Sequence, residues 1–453
     1  MGSEEEQSDT SLVEDEDDFE DDLNDVEEVF VDDSNVPMDD DDDDENGDNG
    51  DGGASEAIHD MSQVQLTVHT DHVYTVAACL DAGVMSILSG AGDDMAYLHK
   101  RRIMSAAAAD TESKRLPHNH TDSVSCVAFK HPYRMAEDDN TTPKLSAVGA
   151  YDGSIIIYES DTGNTFVELE GPSDVEWLAW HPKGGTVLLA GSMADGTIWM
   201  YHVLMKKCLQ VFCGHVSGVT SGAFTLDGKW ALSASQDGTL KLWAPRTGVC
   251  KHTFQTGTAG LLCMAIGGGA DGQLVMVGAE DGAAHVCHVG TKKIVTTLKH
   301  FEAPLGNVDE EDMELPMSVE AVAFCVSNPL WCATGGVDGV LKIWDLASGG
   351  GHCRQQCKTA NDDDSTGGIT RIVWHPTVPL VFSSYSDGCV RLWDARNGRL
   401  LTTLTGNTDM INDMVVCFVD SENAVVVSAS DDKTVRIFDV DIGAIMRTQL
   451  QQQ

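Results

Sequence analysis

Apolar and polar positions alternate in short runs from residue 62 to about residue 445, and a tight turn breaks the alternation at regular intervals. The clearest instance is residues 233–243, Ser-Ala-Ser-Gln-Asp-Gly-Thr-Leu-Lys-Leu-Trp, an Asp-Gly turn leading into a half-buried strand that ends on an aromatic ring. Copies stand at residues 149–158, 193–201, 278–282, 335–345, 384–394 and 428–439, with an eroded copy at 89–98. The turn aspartates are Asp93, Asp152, Asp195, Asp237, Asp281, Asp338, Asp387 and Asp432. Most intervals lie near the ~40 to 45 residues of one four-stranded propeller blade. The pattern therefore predicts an all-β, eight-bladed propeller.

Gln63-Val-Gln-Leu-Thr-Val-His69 also alternates, and it has no preceding blade to join except the last. It is expected to close the ring against residues 435–439 and so remove the exposed strand edges of an open array. Residues 443–450 compete for the same place. Two repeat intervals are long. The first contains a linker-like segment, residues 101–115, and an insertion at 131–144; the second contains the acidic stretch 301–316, and a milder acidic stretch is residues 361–364. Insertions in a repeat protein map to loops.

Charge divides the chain further. The net charge is −45, and residues 1–60 hold 28 of the 73 acids and none of the 28 Lys and Arg. Such a segment has too little apolar surface to fold alone, so residues 1–60 are expected to be a disordered acidic tail and residues 61–453 the propeller. The apolar island Leu23 to Val31 within the tail could dock or could be spacing. Beyond the tail, 45 acids face 28 bases. Both parts repel nucleic acid and anionic membrane and favour a basic protein segment as partner. No apolar run is long enough to insert in a membrane, and the start Met-Gly-Ser-Glu-Glu-Glu lacks a signal core. The 13 cysteines read as reduced thiols of a cytoplasmic protein, with the nucleus as second compartment.

Catalytic and cofactor chemistry is not expected. The run Gly267-Gly-Gly-Ala-Asp-Gly272 lacks the Gly-Lys-Ser/Thr of a phosphate cradle and falls where a hairpin turn is due. His352, Cys353 and Cys357 offer too few ligands for tetrahedral zinc. Trp177, Trp180, Trp199 and Trp374 fit core packing.

The repeat resembles the WD-repeat β-propeller family, on Gly214-His215, on the Trp-Asp closes at Trp344-Asp345 and Trp393-Asp394, and on the registered turns. That resemblance implies a structural Asp-His-Ser/Thr-Trp hydrogen-bond network within blades: Asp237 with His215, Ser233 and Trp243, with Asp152, Asp338, Trp344, Asp387, Trp393 and Asp432 in matching places. It also implies a top face lined by Tyr74, Tyr151, Asp174, Glu176, Thr220, Gln236, Glu280, Glu320, Thr370, Asn412 and Asp431. Five of these are acids and none is Lys or Arg. Residues 174–182, 188–191, 318–325 and 392–400, together with the acidic start, resemble the family of the angio-associated migratory cell protein, which includes an eight-bladed ribosome-assembly chaperone. This second resemblance implies a monomeric, non-enzymatic chaperone without cofactor or metal. It would hold the basic N-terminal segment of a new large-subunit ribosomal protein on Asp174, Glu176, Glu280, Glu320, Asp431, Tyr74 and Tyr151. A signalling adaptor in cell migration is the alternative. Missing Gly-His pairs in blades 1, 3, 5, 6 and 7, and Cys287 in place of an aromatic, leave the local geometry of those blades open.

Overall fold

A computed structural model describes residues 59–103, 111–118, 120–130, 144–183, 185–301, 317–347, 350–359 and 367–451. The acidic tail up to residue 58, the insertion 131–143 and the acidic stretches 302–316 and 361–364 lie outside the described residues. Strands assemble into eight antiparallel sheets of four strands each, an all-β propeller. In blades 1 to 7 the four strands are consecutive in sequence. Blade 1 is Val73–Asp81, Val84–Ala91, Ala96–Arg102 and Thr111–Arg115. The last of these corrects the reading of residues 101–115 as a linker. Its sequence, Thr-Glu-Ser-Lys-Arg, has no buried position and so carries no alternation to read.

Blade 8 closes the ring. Its three strands Ile411–Phe418, Asn423–Ser430 and Val435–Asp441 are completed by Val64–Leu66, with Val64 opposite Ile437 and Leu66 opposite Val435. The rival segment forms a helix, Ile442–Gln451, whose Ile442, Ile445 and Met446 pack on the apolar cluster shared by blades 7 and 8. Polar bonds lock the seam. Arg101 donates from Nη1 and Nη2 to the two carboxylate oxygens of Asp439, at 2.7 and 2.6 Å. Asp60 pairs with the buried Arg436, so the folded part begins before residue 61. No helix among the described residues is long and apolar enough to cross a membrane.

Inside blade 4 the polar network is a chain of donors. Trp243 Nε1 donates to Ser233 Oγ (2.8 Å), the serine hydroxyl donates to His215 Nε2 (2.7 Å), and His215 Nδ1 donates to Asp237 Oδ2 (2.8 Å). Asp237 is held below the usual carboxylate range despite burial by hydrogen bonds from Thr239 and His215. Blade 6 has the same chain through His300, Thr334, Asp338 and Trp344, although Lys299 stands where the repeat has glycine. Blade 1 has it through His69, Ser89 and Asp93. The absence of the Gly-His pair in blades 1 and 6 therefore does not remove the histidine.

Other blades substitute. Arg391 donates to Asp387 Oδ2 in blade 7 and lies 4.1 Å over the Tyr385 ring, while Trp393 donates to Ser383. Asn407 links Ser428 to Asp432 in blade 8. In blade 2 His120 bonds Ser154, whose hydroxyl donates to Asp152. All eight turns need a left-handed residue after the aspartate or its counterpart. Six use glycine, and Asp94 (φ 61°) and Lys433 (φ 67°) fill the other two.

His99 occupies the tryptophan position of blade 1. Its Nε2 bonds Ser89 Oγ at 2.9 Å and its Nδ1 bonds Ser113 Oγ at 2.8 Å. Burial, with a smaller contribution from His69, pushes its pKa down to about 3.

If the closing strand carries the seam, removing residues 59–69 should lower the melting temperature by many degrees, whereas removing residues 451–453 should leave it nearly unchanged. Equal melting curves would show that the strand Val64–Leu66 does not carry closure. Because the unfolded chain binds the His99 proton first, stability from this group is intact above pH ~6.5 and falls by up to about 1.4 kcal/mol per unit as pH drops toward 3. His99→Phe should cost stability at pH 8 but flatten the slope of denaturant midpoints below pH 6.5; an unchanged slope would place the acid sensitivity elsewhere.

Candidate functional site

The end of the ring that bears the Asp-Gly turns also receives the start of each innermost strand. In seven blades the pairing of that strand with its neighbour slips by one residue at its second position. The extra residues are Tyr74, Ser125, Thr220, Leu262, Glu320, Thr370 and Asn412. A bulge leaves one residue unpaired and re-aims its side chain. Here several are aimed sideways, onto the innermost strand of the next blade or the approach to it. Thr220 Oγ1 donates to the Leu261 carbonyl at 2.8 Å, Asn412 Nδ2 to the Val73 carbonyl at 3.0 Å, and Ser125 to the Val175 carbonyl. Thr220 and Asn412, expected to line the top face, thus spend hydrogen bonds on joining blades.

The expected acids divide by environment. Asp174 caps the turn of its own blade, accepting from Ser192 Oγ and from the amides of Met193 and Ala194. Glu176 sits half-buried beside Tyr151; burial first, and then the charge of Asp174, raise its pKa, while the Tyr151 hydroxyl donates to it and opposes the rise. Glu320 accepts from Ser318, and Asp431 accepts from Asn412 Nδ2 at 2.6 Å. Glu280 and Gln236 are exposed, and Glu280 accepts only a 3.2 Å bond from the Gly260 amide. Tyr74 and Tyr151 are the exposed large aromatics among the described residues, at 37% and 40%.

Sequence reasoning missed part of this surface. Asp71 and Asp122 stand near Tyr74, and Asp94 stands near both of them. Burial and then the charges of Asp71, Asp431 and Asp122 raise the pKa of the Tyr74 phenol, and burial followed by Asp122, Asp93, Asp152 and Asp71 raises that of Asp94. The signal was present as a repeat, His69-Thr-Asp71, His120-Thr-Asp122 and Asn407-Thr-Asp409, in the consecutive blades 1, 2 and 8. Asp431, Asp71, Asp94 and Asp122 form an acidic arc over blades 8, 1 and 2, and Asp174 and Glu176 stand beside Tyr151 where blades 2 and 3 meet. The face also holds cations. Lys433 donates to the Thr70 carbonyl, and Arg371 on an innermost strand has a side chain 55% exposed to the channel and pairs with Asp413 at 2.8 Å.

Similarity to known proteins agrees with this architecture. Residues 232–447 match the profile of the Nucleolar protein 10-like, N-terminal domain, and residues 206–244 that of the WD domain, G-beta repeat. Human angio-associated migratory cell protein is 32% identical over 387 residues, spanning 84% of this chain and 80% of its own length. The dog protein of that name is 32% identical over 384 residues. The chain belongs to the angio-associated migratory cell protein family. Among solved structures, Saccharomyces cerevisiae Sqt1 shares the fold with a TM-score of 0.70 at 17% identity, over 84% of this chain and 99% of that one. Chaetomium thermophilum Sqt1 bound to the N-terminus of the ribosomal protein L10 shares it with a TM-score of 0.66 at 18% identity, over 84% and 100%.

In this member of the angio-associated migratory cell protein family, the Tyr151–Glu176 pair gives the acidic face a titratable reporter. Tyr151→Phe removes the donor that lowers the Glu176 pKa, so the carboxyl should titrate at a higher pH than in the parent, as read by its carbon chemical shift. A titration that stays in place or moves down would mean that the phenol does not hold this carboxylate.

Proposed function

We propose that this propeller is a dedicated chaperone that captures the basic N-terminal segment of a newly made large-subunit ribosomal protein on its acidic top face. The observation that carries the reading is the group of carboxylates over blades 8, 1 and 2, close enough that, after burial, their charges raise the pKa values of Tyr74 and Asp94. Bringing like charges together is unfavourable unless a cation relieves it, and an Arg/Lys-rich peptide would do so. Tyr74 and Tyr151 add exposed ring faces beside these acids, on which guanidinium groups can stack. The Sqt1 structure with the L10 N-terminus supplies a precedent of the same fold with a ligand of that kind. An adaptor in cell migration would not need one sign of charge to prevail on this face. Glu280 and Glu320 would extend the arc across the channel mouth to blades 5 and 6.

Binding of a fluorescein-labelled peptide of the L10 N-terminus to the full chain, followed by anisotropy, tests the proposal. Affinity should fall steeply with salt, and Glu280→Lys with Glu320→Lys should weaken it about tenfold or more while circular dichroism and melting stay at the parent values. These two acids suit reversal because neither supports Tyr151 as Glu176 does. Affinity unchanged by the double reversal and by salt would remove the site from this face.

A further inference from the structure

At the opposite end of the ring lie the connections between first and second and between third and fourth strands. Charge is distributed unevenly there. In blades 8, 1 and 2 the described residues of these loops include Asp81, Glu159, Asp161, Asp420 and Glu422, with Lys130 and Lys144 as the cations, and Lys144 pairs with Asp81 and Asp161. In blades 3, 4 and 5 they carry the exposed cations Lys183, Lys206, Lys229, Arg246, Lys292 and Lys293, and among the described residues only Asp227 and Asp271 oppose them. A basic sector on a chain of net charge −45 has no counterpart at the acidic end.

A cleft of about 530 Å³ opens in this sector between blades 4 and 5. It is the size of a small-ligand or side-chain pocket. Leu226, Trp230, Leu242, Ile266 and Val289 line it, and Lys183, Lys229 and Lys292 surround them. Leu226 is 55% exposed, which leaves apolar surface open to a partner. Lys229 pairs with Asp227 at 3.2 Å, but both are exposed and such a pair contributes little. Lys183 and Lys292 make no ion pair among the described residues.

We propose that this cleft docks an acidic protein segment that seats one large apolar side chain on the apolar floor and sets carboxylates against Lys183, Lys229 and Lys292. The inference goes beyond the top-face reading and does not depend on it. An apolar floor with a rim of cations selects a peptide that carries both features, since neither charge nor burial alone matches the site. A single-stranded nucleic acid fits less well. Its bases need aromatic faces to stack on, and the cleft offers a single, half-buried ring, Trp230. Asp227 and Asp271 also line the cleft and would repel carboxylate and phosphate alike, so they do not separate the two ligands.

The test uses the full chain and a short fluorescein-labelled peptide of Asp, Glu and Ser with one central Phe, read by anisotropy. Lys183→Glu, Lys229→Glu and Lys292→Glu combined should weaken binding about tenfold or more. Leu226→Ser in the protein, or Phe→Ser in the peptide, should each weaken it several-fold, with circular dichroism unchanged because every altered side chain is at the surface. Binding of the basic L10 peptide at the other end should stay at the parent value in all of these variants, which separates this site from the top face. Affinity indifferent to the lysine reversals overturns the proposal. So does affinity that depends on the lysines but not on Leu226 and the Phe, which would be plain ionic attraction. A labelled single-stranded RNA that binds more tightly than the peptide through the same lysines would reassign the cleft to nucleic acid.

Discussion

Apolar surface in this ring is shared between blades, and the rest of the structure depends on that. Each sheet is four strands wide and can bury its faces only against the sheets on either side. The buried residues accordingly fall into eight clusters, each spanning two neighbouring blades, including one between blade 8 and blade 1. A repeat that cannot bury its own core must have neighbours on both sides. The seam is therefore as necessary as any other interface, and it is reinforced by polar contacts as well. Asp413 shows this at the channel: it accepts from the Val76 amide of blade 1 at 3.0 Å and from Arg371 of blade 7 at 2.8 Å, tying three blades together.

Within that shell the polar network tolerates exchange of parts. Five blades keep a side-chain donor from outside the turn for the turn aspartate: imidazole serves in blades 1, 4 and 6, guanidinium in blade 7 and an amide in blade 8, whereas Asp281 of blade 5 accepts from the Ala283 amide. Buried polar groups are costly when unpaired, so any group that completes the chain can serve. The exchange leaves the turns in place, and the turns carry the top face.

The blade number and the closing strand were legible because both depend on periodicity. The Asp-Gly turn recurs at blade pitch, and Val64–Leu66 alternates like the strands it joins. Thr111–Arg115 was not legible, since an outer strand facing solvent needs no apolar positions. The bulges at Tyr74, Thr220 and Asn412 were hidden for another reason: a slip of pairing register is set between two strands and leaves no mark in either one. Top-face acids could be read as residues but not by environment. Glu176 is half-buried against Tyr151, whereas Glu280 stands free, and the difference arises from neighbours brought in by other blades.

The pairing of Val64 with Ile437 has a bearing on synthesis. It joins residues far apart in the sequence, so the strand Val64–Leu66 must wait, unpaired, until blade 8 has emerged. The entropy of closing so long a loop rises only logarithmically with its length, so the delay costs time more than stability. Once blade 8 has emerged, and until Val64–Leu66 docks, the edge at Val435–Asp441 offers its free amides and carbonyls to any passing strand, including the Val64–Leu66 strand of another copy. At high local concentration, crowded newborn chains would thus exchange their first strands and form closed, swapped pairs with every blade intact.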